Sequence, residues 1–295
     1  MRHPALSQPS FTPMTLQQAA RFGGLIAAAL DEDGAGCDIT SSATLAADSV
    51  ASAEVVFRSG GVVAGLPVAA LTFETVDPMI RFDPAAADGN AVPAGTVIAT
   101  LLGPARSVLA AERVALNFLG RLSGIASLTR TFVDAVAGFP VRICDTRKTT
   151  PGLRALERYA VRAGGGFNHR FNLSDAVLIK DNHVAAVGSV AEAVAAARAN
   201  APAGLIVEIE CDSLQQVQSA VAAGVDAVLL DNMPLEELRR AVAVARGRAA
   251  IEASGGITLD NVRAVAQAGV DIISVGALTH SPRSADIALD FRKAL

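Results

Sequence analysis

The run Ala223-Gly224-Val225-Asp226-Ala227-Val228-Leu229-Leu230 returns later in the chain as Ala268-Gly269-Val270-Asp271-Ile272-Ile273-Ser274-Val275. Each copy pairs a glycine suited to a left-handed helix end with a short apolar run of the kind that forms a strand buried on both faces. Four more runs share this character: Val141-Arg142-Ile143-Cys144, Ala176-Val177-Leu178-Ile179, Leu205-Ile206-Val207-Glu208-Ile209 and Ala249-Ala250-Ile251-Glu252-Ala253. Alanine-rich stretches of helical period lie between them, at Ser189–Asn200, Ser213–Ala223, Pro234–Arg246 and Thr258–Ala268. Ser213 and Thr258 suit N-caps, and Pro234 suits a first helical turn. Six strands alternating with helices predict an α/β protein built on an incomplete (β/α) barrel, with a doubly wound open sheet as the alternative.

The first 120 residues have a different rhythm. Val55–Arg58, Val62–Gly65, Met79–Phe82 and Pro93–Leu101 are short strand candidates separated by glycine, proline and aspartate turns. Ser107 to Leu122 reads as an amphipathic helix carrying Glu112, Arg113, Asn117 and Arg121. The expected organisation is an N-terminal α+β domain over residues 1–123, joined by the C-terminal tail 284–295, and a barrel over residues 124–283.

Half of the 295 residues are apolar, enough for a large core. A net charge of −4, no tryptophan and one tyrosine, Tyr159, argue against nucleic acid as a partner. No apolar run approaches a membrane span, and the N-terminus lacks the apolar centre of a secretory signal, so no membrane partner is expected. Cys37, Cys144 and Cys211 form no C-x-x-C pair, and two of them fall in strand-like runs as small buried hydrophobes. A reducing cytoplasm suits them.

In a barrel, reactive groups stand at the C-terminal strand ends and in the loops that follow. Asp145-Thr146-Arg147-Lys148 follows the first strand, Lys180 ends the second, Glu210 the third and Asp231 the fourth. Ser254-Gly255-Gly256 follows the fifth strand and Gly276-Ala277 the sixth. Two of the chain's three lysines, Lys148 and Lys180, sit in this set. Arg147, Arg170 and Lys180, with His169, can hold a substrate bearing two carboxylates through charge-assisted hydrogen bonds. The glycine pairs allow backbone N–H groups to approach a monophosphate closely. Glu210 and Asp231 can bind ribose hydroxyls, carry Mg²⁺ or offset positive charge on a sugar carbon. His3 and His280 are read as incidental. A Schiff-base aldolase using Lys180, a relative of the same fold serving another pathway, and a non-catalytic ligand sensor are the rival readings.

The motifs Asp145-Thr146-Arg147-Lys148-Thr149-Thr150-Pro151-Gly152, Gly164 to Asn172, Leu178-Ile179-Lys180-Asp181-Asn182-His183 and Val207-Glu208-Ile209-Glu210 resemble those of quinolinate phosphoribosyltransferases. Val228 to Met233, Ala253 to Ile257, Asp38-Ile39-Thr40, Glu112 to Asn117 and Ser123 to Ala126 extend the resemblance over nearly the whole chain. Ser127 stands where threonine is expected, and Cys211 where valine is common. The resemblance implies an enzyme that joins quinolinate to phosphoribosyl pyrophosphate with Mg²⁺, working as a homodimer, with higher assembly left open. By motif it gives Arg113 to the partner's site, and Arg147, His169, Arg170 and Lys180 to quinolinate. Lys148, Glu210 and Asp231 would serve phosphoribosyl pyrophosphate and its Mg²⁺, with Thr146 beside them. Ser254, Gly255, Gly256, Val275, Gly276 and Ala277 would lie near the 5′-phosphate. Lys148, Lys180, Glu210 and Asp231 are the residues the resemblance makes catalytic.

Overall fold

A computed structural model describes residues 3–292. Its first long strand, β1 (Val50–Phe57), alternates buried and less buried positions, with Ala51, Ala53, Val55 and Phe57 facing inward. The period of two makes it one half-buried face of a sheet. The strand begins earlier than its valine run suggests, because the first inward positions are alanines with little apolar signal. It is followed by β2 (Gly61–Val62), β3 (Arg81–Pro84), β4 (Ala91–Val92) and β5 (Thr96–Pro104).

The parallel series is β6 (Arg142–Cys144), β7 (Val177–Ile179), β8 (Val207–Cys211), β9 (Ala227–Asp231), β10 (Ala250–Ser254) and β11 (Ile272–Ser274). All six match the expected runs. They hydrogen-bond in the order β6-β11-β10-β9-β8-β7, which is the circular order of a barrel left open between β6 and β7. The last strand, β12 (Ile287–Phe291), returns to pair antiparallel with β1, giving a four-stranded sheet in the order β12-β1-β5-β3. A second small sheet pairs β2 with β4.

The repeated motif has a structural purpose. Asp226 donates its backbone N–H to Val207 O at 2.9 Å and accepts the Val207 N–H on Oδ2 at 2.8 Å. Asp271 does the same to Ile251, at 2.8 and 2.9 Å. Each aspartate thus latches the start of its own strand to the start of the neighbouring one. Gly224 and Gly269, at φ of 77° and 91°, end the preceding helices just before the latch.

The helix expected over Ser107–Leu122 runs from Ala105 to Ala135 without a break. Ser123-Gly124 is therefore no linker. Ser123 Oγ accepts the Ala64 N–H and donates to Ala64 O, and a Cβ on Gly124 would lie 2.1 Å from Arg283 O. The glycine serves close packing rather than flexibility. Thr258–Ala268 shortens to a helix over Val262–Gln267, and the Thr258 N–H is accepted by the Asn261 side chain in the turn before it. The helices Gly23–Asp33, Leu66–Val76, Arg154–Ala163 and Asp181–Val187 have no counterpart in the sequence reading.

The chain divides into two compact units. One holds the described residues up to Ser10, Thr129–Thr149 and Gly166–Ser281, and so contains the parallel sheet. The other holds Phe11–Leu128, Thr150–Gly165 and the described residues from Pro282 onward. The tail groups with the antiparallel sheet as expected, but the N-terminal segment clusters with the barrel and residues 150–165 cluster with the antiparallel sheet. The core of that second unit gathers Val55, Phe57, Phe73, Ile98, Leu101 and Leu119. Among the described residues, no helix is long and apolar enough to cross a membrane.

Candidate active site

All six parallel strands deliver residues to one cavity of about 560 Å³, contained within the barrel unit. Strand periodicity explains which side chains arrive. On β8 the inward positions are Glu208 and Glu210, on β9 Leu229 and Asp231, and on β10 Glu252 and Ser254. The upper member of each pair lines the cavity; the lower member, Leu229 or Glu252, floors it, and Glu208 lies deeper.

Thr146, Arg147 and Lys148 line the wall after β6. The turn is pinned: Thr146 Oγ1 accepts the Lys148 N–H at 3.1 Å, and Thr279 Oγ1 donates to Lys148 O at 2.7 Å. Phe167 forms a single parallel bridge on the free edge of β6, donating to Ile143 O and accepting the Asp145 N–H. That bridge carries the next residues, His169 and Arg170, into the cavity wall. Asp145, fully buried, accepts the His169 backbone N–H on Oδ1 at 2.8 Å and the Asn168 side chain on Oδ2 at 2.5 Å.

Arg170 is 6% exposed and donates to Ala176 O at 3.1 Å. Burial, and then the Arg147 guanidinium, lower its pKa against the opposing pull of Glu208 and Asp175. A buried arginine crowded by a second one is suited to an incoming anion. Lys180 also lines the cavity, its Nζ 2.5 Å from Glu210 Oε2.

Burial opposes charge on the His169 ring, but the Glu252 and Glu208 carboxylates outweigh it and hold a proton there well above the ordinary imidazole pKa. Nδ1 accepts the Arg170 backbone N–H at 2.8 Å, a bond that places the ring's first proton on Nε2 and opposes the second proton that the two carboxylates favour. His169 lines the cavity, yet both its ring nitrogens face protein groups. Glu208 is pushed up by burial and brought down to about 2 by the His169 and His3 imidazoles.

The carboxylate side is formed by Glu210 and Asp231, on neighbouring strand ends. Asn232, at φ 53°, is the one non-glycine residue with positive φ among the described residues. Its side chain donates to Asp231 Oδ2 at 2.7 Å and its backbone N–H to Ser254 O at 2.9 Å. Gly255 and Gly256, at φ of 88° and 61°, lie beside it, and a Cβ on Gly255 would meet Asn232 Oδ1 at 2.2 Å. Ser254, Gly255 and Gly256 share the wall with Val275, Gly276 and Ala277 from the end of β11. Every sequence-predicted site residue except Arg113 lines this cavity; Arg113 lies exposed on the helix Ala105–Ala135.

Several lining residues carried no expectation: Asn232, Thr258, Ser274 and Glu252. His280, read as incidental, also lines the cavity, and His3 is 3% exposed beside the two deeper glutamates. Glu208 and Glu252 could have been found, since each charge interrupts an apolar strand two residues before a polar strand end. Cys144 and Cys211 are fully buried, and burial, then Asp212 and Glu210, push the Cys211 thiol up to about 12.

A cavity joining guanidinium and ammonium groups to strand-end carboxylates and glycine turns, at the mouth of a parallel sheet, belongs to the anion-handling enzymes of the barrel class. Family models for the N-terminal and C-terminal domains of quinolinate phosphoribosyltransferase match residues 38–123 and 125–290. The chain belongs to the quinolinate phosphoribosyltransferase family, and it is a transferase. It is 49% identical over 231 residues to a probable carboxylating nicotinate-nucleotide pyrophosphorylase of Synechocystis, covering 77% of this chain and 78% of that one. The corresponding Bacillus subtilis protein is 45% identical over 261 residues, covering 88% and 90%. Among solved structures, NadC from Streptococcus pyogenes superposes with a TM-score of 0.89 at 42% identity, over 96% of this chain and 100% of that one. The nicotinate-nucleotide pyrophosphorylase from Francisella tularensis gives 0.89 at 37% identity, over 97% and 100%.

Proposed function

We propose that the chain transfers the phosphoribosyl group of phosphoribosyl pyrophosphate to the ring nitrogen of quinolinate, forming nicotinate mononucleotide, pyrophosphate and CO₂ for de novo NAD synthesis. The observation that carries this reading is one cavity that gathers Arg147, Arg170 and Lys180 together with Glu210, Asp231 and the Ser254–Gly256 turn.

The arginines and Lys180 bind the two pyridine carboxylates, and His169 braces the ring from below. Ser254 to Gly256 and Val275 to Ala277 offer backbone N–H groups to the 5′-phosphate, while Thr146 and Lys148 face the pyrophosphate. The nitrogen lone pair attacks the anomeric carbon as the C–O bond to pyrophosphate breaks. Glu210 and Asp231 answer the positive charge that grows on the ribose, and Lys148 answers the negative charge on the departing oxygen. The alkylated ring is cationic, so the bond to the adjacent carboxylate breaks with CO₂ leaving and its electron pair staying on carbon, where a proton follows. Two carboxylates on adjacent strand ends are hard oxygen donors that fit Mg²⁺; Glu210 and Asp231 would hold it, and the ion would neutralise pyrophosphate charge.

The working form is a cytoplasmic homodimer in which Arg113 of one subunit enters the site of the other. Arg170→Ala tests the substrate assignment. It is expected to raise KM for quinolinate by about a hundredfold, the cost of a lost charge-assisted pair, while KM for phosphoribosyl pyrophosphate moves little. Equal rises in both would remove Arg170 from the quinolinate subsite.

A further inference from the structure

We infer that the N-terminal segment is a clasp beneath the active site, in which His3 and Gln8 are positioning residues that set the His169–Arg170 segment for substrate. This rests on the proposed reading of the cavity, and it assigns a task to residues that line no part of it.

The segment touches the barrel unit at four places. Ala5, fully buried, packs with Cys144 and Ile272. Arg142 Nη1 donates to Ala5 O at 2.5 Å, and its guanidinium lies 4.3 Å from the centre of the Phe167 ring. Gln8 brackets the backbone of Asn168: its Oε1 accepts the Asn168 N–H at 3.0 Å, and its Nε2 donates to Asn168 O at 2.5 Å. A side-chain amide bonded to both backbone groups of one residue stands in for a strand partner on the open edge of the barrel.

His3 acts one layer deeper. Its Nε2 lies 3.5 Å from Glu208 Oε2 and 3.6 Å from Glu252 Oε2. His169 approaches the same two oxygens from the cavity side, 3.3 Å from each. The two rings meet edge to face at 5.1 Å. Both glutamates are 1% exposed, and a buried carboxylate without donors is costly. Each imidazole faces both carboxylates, which explains four similar separations instead of two short bonds. Without His3, the pair loses one of its two imidazoles, and the His169 ring would move or tilt toward the space left. Arg170, bonded through its own N–H to His169 Nδ1, would move with it.

These four side chains also bring their ligand atoms within 4.8 Å of one another, a spacing that invites a metal ion. The ring tautomers oppose it. An imidazole that ligates through Nε2 carries its proton on Nδ1, whereas both Nδ1 atoms here accept backbone N–H groups, His3 from Ala5 at 3.2 Å and His169 from Arg170 at 2.8 Å.

The test combines ¹⁵N-histidine NMR of the ligand-free protein with steady-state kinetics; the chain has four histidines, so assignment by substitution is direct. In the wild type, His169 should show a protonated Nε2. His3→Ala should shift the His169 resonances and raise KM for quinolinate on the order of tenfold, with KM for phosphoribosyl pyrophosphate within about twofold. His3→Gln, which restores an N–H at the Nε2 position, should return both readings toward wild type. Gln8→Ala, which leaves the buried carboxylates alone, should raise KM for quinolinate in the same direction. Unchanged His169 resonances in His3→Ala would overturn the clasp even if the protein did not use quinolinate. So would an equal rise in both KM values with no rescue by glutamine. Tightly bound metal at one equivalent, with Nε2 unprotonated, would replace the clasp with a metal site.

Discussion

At the scale of single residues, the cavity is held ready by groups that restrain one another. Lys180 and Glu210 pair at 2.5 Å, so the cation assigned to quinolinate and the carboxylate assigned to the sugar share charge until substrates divide them. Asn232 accepts an unfavourable backbone angle, and its side chain fills the space a Cβ on Gly255 would need. Strain of this kind persists only where the surroundings enforce it. Gly255→Ala should therefore cost about 2 kcal/mol or more in stability by urea unfolding and raise KM for phosphoribosyl pyrophosphate more than for quinolinate. A variant with unaltered unfolding and kinetics would show that the turn tolerates a side chain. The strand-end residues of this site were legible in the sequence because barrel chemistry gathers at strand ends. In the lower layer the charges of Glu208 and Glu252 stand out within apolar strands, but their meeting with His3 was not legible, because ring closure joins residues far apart in the chain.

Among the elements, the strands were legible because their apolar runs are continuous, and the latches show why one phrase recurs. Burial pushes the Asp226 carboxyl up, but hydrogen bonds from Arg198 and the Val207 N–H outweigh it, so its pKa falls below the ordinary 3.8. Folding therefore gains from its ionised form at any pH above the unfolded value, and loses that gain as pH drops through the depressed folded value. Asp226→Asn should lower stability by about 1–2 kcal/mol at pH 7. The difference from wild type should shrink below about pH 4, as wild-type Asp226 itself becomes neutral. A difference independent of pH would mean that the latch works by shape alone. The long helix Ala105–Ala135 was cut short in the sequence because Ser123-Gly124 looks like a boundary. Only the backbone of Ala64 and the carbonyl of Arg283, distant in sequence, reveal it as a packing site.

For the whole molecule, Arg113 is the residue assigned to the reaction that does not line the cavity of its own chain. If it acts in a partner's site, mixing inactive Arg113→Ala and Lys180→Ala proteins under subunit exchange should recover about a quarter of wild-type activity, from hybrid dimers with one intact site. No recovery, with exchange demonstrated, would confine each site to one chain. The central claim is chemical: the cationic end of this cavity exists to grip a pyridine with two carboxylates. Its most direct test is to follow CO₂ and pyrophosphate release together, with phosphoribosyl pyrophosphate, Mg²⁺ and either quinolinate or nicotinate. Equal amounts of both products from quinolinate, and almost none from nicotinate, whose single carboxylate leaves a cation unanswered, is the expected result. Pyrophosphate released without CO₂, or nicotinate used as readily as quinolinate, would contradict it.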